Sequence, residues 1–282
     1  MTADASSPPN VLIIGTGLIG ASIGMALRES GVTVWLADTD TDACRLAASR
    51  GAGELFDSAK TPDIVVVAVP PHAVPDVAAR SLAFYPDATV TDVASVKAAP
   101  LARLRGLTSD TARFVGGHPM AGREVSGPGG ARADLFEDRL WVITGNAGAE
   151  PRRVDDVRWL AKQCGSLIVE LDAAEHDRAV ALTSHTPQIL ASVLAAQLVS
   201  ADPSDVAVSG QGLRDATRLA DSGPDLWSQI IASNAPEIIA VLDKIGVDLA
   251  EIREALAEVS VVPEAELTDA IDPVGRLLGR GN

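Results

Sequence analysis

The chain has 282 residues, of which 47% are hydrophobic, and a formal net charge of −15 at pH 7. That length and apolar content suffice for one large domain or, more readily, two. The acidic balance argues against a nucleic-acid or anionic-membrane surface, because such partners require clustered Lys and Arg. Cys44 and Cys164 lie far apart without a CxxC motif. They predict buried free thiols and neither a disulfide framework nor a metal site.

The first ten residues, MTADASSPPN, are polar, with no basic start and no apolar run of signal-peptide length. We therefore expect a frayed tail and a cytoplasmic protein. The most apolar later stretch, Ala179–Leu198, is interrupted by polar residues around His185 and Pro187. Because polar groups are costly in lipid, this stretch predicts a buried helix of a soluble protein.

Residues 10–38 predict a strand, a glycine turn, a helix and a second strand. Val11–Ile14 is a continuous apolar run, typical of a strand buried on both faces of a parallel sheet. The following helix repeats apolar residues at Ile19, Ile23 and Leu27, and Val32–Ala37 forms the second strand. Together these segments make a βαβ unit.

Glycines in G-x-G-x-x-G register occupy the turn of this unit, at Gly15, Gly17 and Gly20. Gly15 permits the tight turn, Gly17 lets a pyrophosphate approach the backbone, and Gly20 allows close helix packing. The start of the helix then presents unpaired N–H groups to the phosphates. The predicted cofactor-binding residues of the whole chain are Gly15, Thr16, Gly17, Leu18, Ile19, Gly20, Asp38, Val69, Pro70 and Ser95.

Asp38 stands at the end of the second strand, where an acidic residue accepts hydrogen bonds from the adenosine ribose. No Arg or Lys follows in DTDTD, residues 38–42, so a 2′-phosphate would meet only negative charge. The pattern favours NAD over NADP. The alternative is a plain acidic turn.

Further strands are predicted at 63–70, 88–95, 113–117, 140–145 and 167–171, with a helix at 151–164. Val69-Pro70 and Asp92–Ser95 end two of these strands, where open α/β sheets bind ligands. Helical patterns replace strands from Ala173 onward. We expect an α/β chain with an N-terminal Rossmann-type dinucleotide-binding domain, residues 1–172, and an all-α C-terminal substrate and dimerisation domain, residues 173–282.

The clearest helix of the C-terminal half spans residues 237–259. Its apolar residues recur at steps of three and four, at Ile238, Leu242, Ile245, Leu249, Ile252, Leu256 and Val259. Such a seam packs either within the helical half or against a second copy. A homodimer is the favoured expectation.

One of only four histidines, His118, lies in the glycine-rich stretch VGGHPMAGREVSG, residues 115–127. The stretch predicts a turn rather than a helix or an ordinary strand. From these residues alone, a surface turn histidine and a functional histidine are equally supported.

Five blocks of the chain resemble the prephenate/arogenate (cyclohexadienyl) dehydrogenases of tyrosine biosynthesis. They are GTGLIGASIG (15–24), DVASVK (92–97), GGHPMAG (116–122), EHDRAVALTSHTPQIL (175–190) and GLRDATRLADSGPDLW (212–227). The resemblance implies an NAD-dependent oxidative decarboxylation. In that reaction hydride leaves ring C4 for NAD, the ring carboxylate departs as CO₂, and the ring becomes aromatic.

The resemblance also implies roles for individual residues. His118 is the general base, which requires a neutral imidazole. Ser95 bonds to this histidine beside the nicotinamide, although a helix-capping serine is the alternative. Arg218 holds the substrate carboxylate through its planar guanidinium, and His185 binds the substrate side chain unless it is a packing histidine.

Four more residues are weaker candidates for the substrate site. Glu124 matches an acidic family position, Trp227 walls the pocket or belongs to the core, and Arg214 pairs with Asp215 at the entrance or forms a surface ion pair. Arg123 stands where the family pattern has a small polar residue, which leaves open the choice between the pyruvyl side chain of prephenate and the alanyl side chain of arogenate.

Three alternative functions stay open at this point. One is a 4-amino-4-deoxyprephenate dehydrogenase of an antibiotic pathway. Another is a β-hydroxyacid dehydrogenase, disfavoured because the only lysine after residue 162 is Lys244, on the packing helix. The last is a non-catalytic NAD-binding sensor or scaffold, which gives no reason for His118, His185 and Arg218 to converge.

Overall fold

The computed structural model describes residues 8–122, 125–145, 148–259, 271, 274–276 and 279. Eight strands form one sheet: β1 (Val11–Ile14), β2 (Val34–Ala37), β3 (Glu54–Leu55), β4 (Ile64–Val67), β5 (Thr89–Asp92), β6 (Phe114–Pro119), β7 (Leu140–Gly145) and β8 (Leu167–Glu170). Their order across the sheet is β3-β2-β1-β4-β5-β6-β7-β8. Six neighbouring pairs are parallel, and β6 and β7 are antiparallel.

Five helices accompany these strands: α1 (Leu18–Glu29), α2 (Thr41–Ser49), α3 (Val74–Phe84), α4 (Ala98–Leu107) and α5 (Pro151–Gln163). Alternate residues of the central strands enter two cores, one on each face of the sheet. Val11 and Ile13 pack with residues of α1 and α5, while Leu12 packs with residues of α3 and α4. This burial on both faces explains the continuous apolar run of β1.

After β8 the described chain forms six α-helices: α6 (Ala173–Val180), α7 (Thr186–Val199), α8 (Pro203–Ala207), α9 (Gln211–Thr217), α10 (Pro224–Ser233) and α11 (Ala235–Val259). The predicted fold class, a Rossmann-type α/β part followed by an all-α part, is confirmed. The strands expected at 63–70 and 88–95 end earlier, at Val67 and Asp92. Val67 pairs with both Ile14 of β1 and Asp92 of β5, so the ladder ends where its partners end.

A π-helical turn, Ala181–His185, joins α6 to α7. Pro187 follows it and has no N–H for the carbonyl of Thr183, which disrupts regular α-helical bonding at this point. His185 therefore ends the π-helical turn directly before α7, inside one continuous helical run.

Ala179–Leu198 is helical as predicted, but the prediction that this helix is buried is wrong. The run Ala173–Val199 is long and apolar enough to cross a membrane. An 18-residue window of this run has a mean hydropathy of 1.2, but only 33% of that window is buried. Leu182, Val193 and Val199 are exposed. On the other side of the run, His176 and Asp177 are buried together with Val180, Ala181 and Ala191, so apolar residues lie on both the buried and the exposed faces.

Gly20 lies where α1 crosses the glycine turn. A Cβ at this position would lie 2.0 Å from the Gly15 carbonyl oxygen and 3.1 Å from Cβ of Ala68. We expect Gly20→Ala to lower the free energy of unfolding by about 1–3 kcal/mol, as overpacking does, in urea titrations. Gly106→Ala in α4 is the matched control, because nothing lies within 4 Å of the added methyl group. This control should raise stability by about 0.5–1 kcal/mol, and an equal effect of both changes would contradict the packing argument.

Candidate active site

The carboxyl ends of β1, β4, β5 and β6 meet at one edge of the sheet because these strands are parallel. The glycine turn follows β1, Val69-Pro70 follows β4, and Ser95 follows β5. Helical crossovers leave the sheet in opposite directions from β1 and β4, which makes this edge the usual ligand crevice of a doubly wound sheet.

The glycine turn leaves its backbone accessible. Gly15 has φ +102°, a conformation that favours glycine. Gly17 precedes α1 without a side-chain cap, and a Cβ placed on it meets no atom within 4 Å. The N–H groups of Leu18 and Ile19 therefore begin the helix beside open space, as anion binding requires.

Asp38 holds this turn against the end of β2. Its Oδ2 accepts from the backbone N and Oγ1 of Thr16 at 2.6 and 2.8 Å, and its Oδ1 accepts from the N of Asp40 at 2.9 Å. Burial raises the pKa of Asp38, but these hydrogen bonds outweigh burial and lower the pKa overall. A negative charge thus stays at the end of β2.

His118 lies within β6, so the prediction of a turn at this residue is wrong. It pairs with Val142 of the antiparallel strand β7. The preceding glycines reflect close packing rather than a turn. A Cβ on Gly116 would lie 2.3 Å from Oγ1 of Thr144, and one on Gly117 would lie 2.8 Å from the Asp92 carbonyl oxygen.

Asp92 and Lys97 hold the peptide groups before His118. Oδ1 of Asp92 accepts from the N of Gly117 at 3.3 Å, and Nζ of Lys97 donates to the carbonyl oxygen of Gly117 at 2.7 Å. Lys97 and Asp92 also form a buried ion pair. Burial lowers the pKa of Lys97, while Asp92 and Asp177 act in the opposite direction. This pair determines where β6 presents its histidine.

Burial lowers the pKa of His118 well below the ordinary value, and nearby His176, Lys97 and His185 lower it further. A neutral imidazole at pH 7 follows. Such a group accepts a proton when a substrate hydroxyl comes within hydrogen-bond reach.

Two residues that sequence reasoning missed complete this arrangement. Nδ1 of His118 lies 2.8 Å from Nε2 of His176, and Nδ1 of His176 lies 2.7 Å from Oδ1 of Asp177. Both residues belong to α6 and are buried. A signal was available, because His176 is one of only four histidines and adjoins an acid at a predicted domain boundary.

His185 faces the same space from the π-helical turn. It is fully buried, and its Nδ1 lies 3.1 Å from Nδ2 of Asn234. Its Nε2 makes no hydrogen bond of ordinary geometry in the described part of the chain. Burial lowers the pKa of His185 to about 4, although Asp177 and the backbone of Ser95 raise it in part. Trp227 packs edge-on against His185, with ring centroids 6.1 Å apart.

Ser95 does not make the hydrogen bond to His118 that the resemblance implies. Nδ1 of His118 is taken by His176, and Ser95 instead lies beside His185. Ser95 is half-buried on the loop after β5, so its expected position at the nicotinamide end stays a prediction.

Arg218 opens a 3-10 turn, Arg218–Asp221, after α9. Nε2 of Gln188 donates to the carbonyl oxygen of Leu219 at 2.8 Å, which ties this turn to α7 three residues beyond His185. Arg218 is exposed. The helical half therefore places His185 and the turn of Arg218 on neighbouring segments.

Arg214 and Asp215 do not pair with each other. Both bond to Gln211: Arg214 donates to its Oε1 at 3.1 Å, and Asp215 accepts from its Nε2 at 2.7 Å. Their spacing on α9 brings each to Gln211 instead. Arg123 and Glu124 lie outside the described residues.

Comparison with known proteins decides the family. The prephenate dehydrogenase nucleotide-binding domain matches residues 23–170, and the prephenate dehydrogenase dimerization domain matches residues 172–265. The chain belongs to the prephenate dehydrogenase family. The resemblance seen in the sequence is thereby confirmed.

Relatives of this prephenate dehydrogenase family member match along most of its length. The probable prephenate dehydrogenase NovF of Streptomyces niveus is 40% identical, over 88% of this chain and 69% of NovF. The cyclohexadienyl dehydrogenase of Zymomonas mobilis is 32% identical, over 88% of each chain. The structure of Aquifex aeolicus prephenate dehydrogenase in complex with hydroxyphenyl propionate and NAD+ is 27% identical, with a TM-score of 0.83 over 99% of this chain and 100% of that one.

The lowered pKa of His185 predicts a pH dependence of stability. The unfolded chain takes up a proton at His185 near pH 6.5, whereas the folded protein does so only near pH 4. The unfolded state therefore binds more protons in this window, so the free energy of unfolding rises with pH from about 4 to about 6.5. We expect His185→Gln to make this rise shallower in urea titrations across that window.

The control is Arg80→Gln, which changes an exposed residue of the sheet domain and should leave the slope unchanged. Equal slopes for wild type and His185→Gln would contradict the assignment of a buried neutral His185.

Proposed function

We propose that this protein catalyses the NAD-dependent oxidative decarboxylation of a cyclohexadienyl acid, prephenate to 4-hydroxyphenylpyruvate, arogenate to tyrosine, or both. The observation that carries the proposal is a buried neutral imidazole, His118, between the nucleotide-binding edge of the sheet and the helical half. The membership in the prephenate dehydrogenase family supports the same reaction.

The residues at the sheet edge fit NAD. The open backbone at Gly17 and the uncapped start of α1 would receive the pyrophosphate. Asp38 keeps its negative charge and would accept from the ribose hydroxyls, while no basic side chain follows in residues 39–42 to bind a 2′-phosphate. Val69, Pro70 and Ser95 would line the nicotinamide end. When bound, NAD supplies the hydride acceptor.

In the proposed reaction, Nε2 of His118 takes the proton of the C4 hydroxyl. Hydride leaves C4, the electron pair of the C1–carboxylate bond enters the ring, and CO₂ departs as the ring becomes aromatic. Burial serves this step because it keeps His118 unprotonated and ready to accept.

Substrate binding is assigned to the helical half. Arg218 would hold a carboxylate as a fixed cation, and His185 would donate or accept through its Nε2. Trp227 would form a wall beside His185. Arg214 is assigned to the entrance, and Arg123 and Glu124, which lie outside the described residues, stay candidates for substrate binding.

The division of the chain at residue 172 and a cytoplasmic location are part of the proposal. The division is supported because β8 ends at Glu170 and α6 begins at Ala173. The cytoplasmic location is supported by Cys44 and Cys164, which are buried and unpaired as in reducing compartments.

A homodimer through the helical half is proposed from its exposed apolar side chains. The exposed set on the π-helical turn, α7 and α11 is Leu182, Leu190, Val193, Leu194, Val199, Ile239, Val247, Leu249 and Leu256. Apolar patches of this kind usually mark association surfaces. In the predicted seam of α11, Ile238 is buried within the chain while Leu249 and Leu256 remain exposed. The dimerization domain matched at 172–265 supports the same interface.

The reaction is tested by NADH formation from purified protein with NAD and, separately, prephenate, arogenate and 4-amino-4-deoxyprephenate, each repeated with NADP. We expect turnover with NAD on prephenate or arogenate. We expect His118→Asn to lower turnover by roughly 10²–10⁴-fold, as loss of a general base does, with NAD affinity retained in a binding titration. Turnover of the amino substrate alone would select that alternative, and no NADH from any of them would refute the proposed function.

The dimer is tested by light scattering coupled to gel filtration. We expect a mass of two 29.1 kDa chains for wild type and one chain for Leu249→Glu, because a buried unpaired carboxylate is costly at an apolar interface. Phe84→Glu is the matched control, since Phe84 is 76% exposed but lies on α3 of the sheet domain. A monomeric wild type, or an unchanged mass in Leu249→Glu, would contradict this interface.

A further inference from the structure

A chain of hydrogen bonds runs from the helical half to His118. Nδ1 of His118 lies 2.8 Å from Nε2 of His176, and the planes of the two rings meet at 70°. Nδ1 of His176 lies 2.7 Å from Oδ1 of Asp177. His176 is fully buried, Asp177 is 3% exposed and His118 is 9% exposed. Solvent therefore does not compete for these contacts.

The far end of this chain is an anion site built by the backbone. Oδ1 and Oδ2 of Asp177 accept from the N–H groups of Lys97 and Ala98, each at 2.8 Å. These N–H groups begin α4, where the helix dipole favours negative charge. An ionised carboxylate only accepts hydrogen bonds, so Nδ1 of His176 must donate to Asp177.

When His176 is neutral, the direction of every following bond is determined. A neutral His176 that carries its proton on Nδ1 has a lone pair on Nε2. Nδ1 of His118 must therefore donate to it, which leaves the lone pair of His118 on Nε2. Without these partners a neutral imidazole populates both tautomers, and the other tautomer has no acceptor at Nε2.

We propose that His176 and Asp177 are positioning residues that hold His118 in the tautomer with a free Nε2 lone pair and stabilise the charge it gains. This inference rests on the proposed function, in which Nε2 of His118 takes the C4 hydroxyl proton. After that transfer His118 is an imidazolium, and its Nδ1–H bond to His176 becomes charge-assisted, with the Asp177 carboxylate beyond it.

Among the described ionisable groups that face His118 and His176, only Asp177 is placed to stabilise the positive charge on His118. Lys97 lies near His118 and lowers its pKa, and it is paired with Asp92. His185 faces both from the π-helical turn and is neutral above about pH 4. The nearest uncompensated negative charge in the described site is thus the one bonded to His176.

The kinetic test compares His176→Leu with His176→Gln. Leucine removes the acceptor, whereas Oε1 of glutamine can accept from Nδ1 of His118. We expect His176→Leu to lower kcat by roughly 10²-fold with KM and NAD affinity changed by less than about threefold, and His176→Gln to recover at least about tenfold of that loss. The kcat–pH profile of His176→Leu should also shift, because the tautomer and charge of His118 are no longer held.

Nuclear magnetic resonance of ¹⁵N-histidine-labelled protein measures the tautomer of His118 in the absence of substrate turnover. The chain has four histidines, so His118→Asn identifies the His118 signals by their loss. We expect His118 to carry its proton on Nδ1 in wild type at neutral pH. In Asp177→Asn the amide can donate to His176, which reverses the chain and moves the His118 proton to Nε2.

The control is Arg80→Gln, on an exposed residue of α3, which should leave kcat, its pH profile and the His118 signals unchanged. Unchanged kcat and pH profile in His176→Leu, or a wild-type His118 protonated on Nε2, would overturn the proposal. If wild type forms no NADH, the proposed function fails, and the His118 tautomer alone then decides whether the hydrogen-bonded chain exists as described.

Discussion

The hydrogen bond between His118 and His176 connects the sheet to the helical half at the point where chemistry is proposed. His118 is held by the pairing of β6 with β7, and His176 by its neighbour Asp177, which binds the start of α4 in the sheet half. Within the helical half, Asn234 donates to the carbonyl oxygen of Asp177 at 2.8 Å. The two halves thus build the site jointly, and neither half contains it alone.

Burial and charge work together around this bond. Both His118 and His185 are kept neutral mainly because desolvation penalises the protonated ring. The buried Lys97–Asp92 pair has a structural role, since its members bond to the N–H and the carbonyl oxygen of one residue, Gly117. In a chain with a net charge of −15, an anionic substrate would depend on local cations, a role proposed for Arg218.

The fold was predictable wherever a local pattern had a single physical explanation. The apolar run Val11–Ile14 and the spacing of Gly15, Gly17 and Gly20 predict the βαβ unit, because burial on both faces and close helix packing restrict those residues directly. The turn predicted at His118 was wrong for an informative reason. Gly116 and Gly117 lie in a strand whose neighbours, Thr144 and Asp92, leave no room for a side chain, and those neighbours come from distant parts of the chain. The prediction that Ala179–Leu198 is buried was wrong because composition does not tell whether an apolar face is covered within one chain or by a second one.

Sequence alone determined the dinucleotide turn, the change from strands to helices near residue 172, the family and the identity of His118 as the candidate base. Each of these depends on residues that are close in sequence, or on blocks whose order is recognisable. Tertiary structure alone decided the partner of that base. His176 and Asp177 lie 58 and 59 residues from His118 in the chain, and the bond that orients the imidazole forms only when α6 packs against the carboxyl ends of the strands. A hydrogen bond requires atoms within about 3 Å at a defined angle, and spacing along a sequence does not specify that distance.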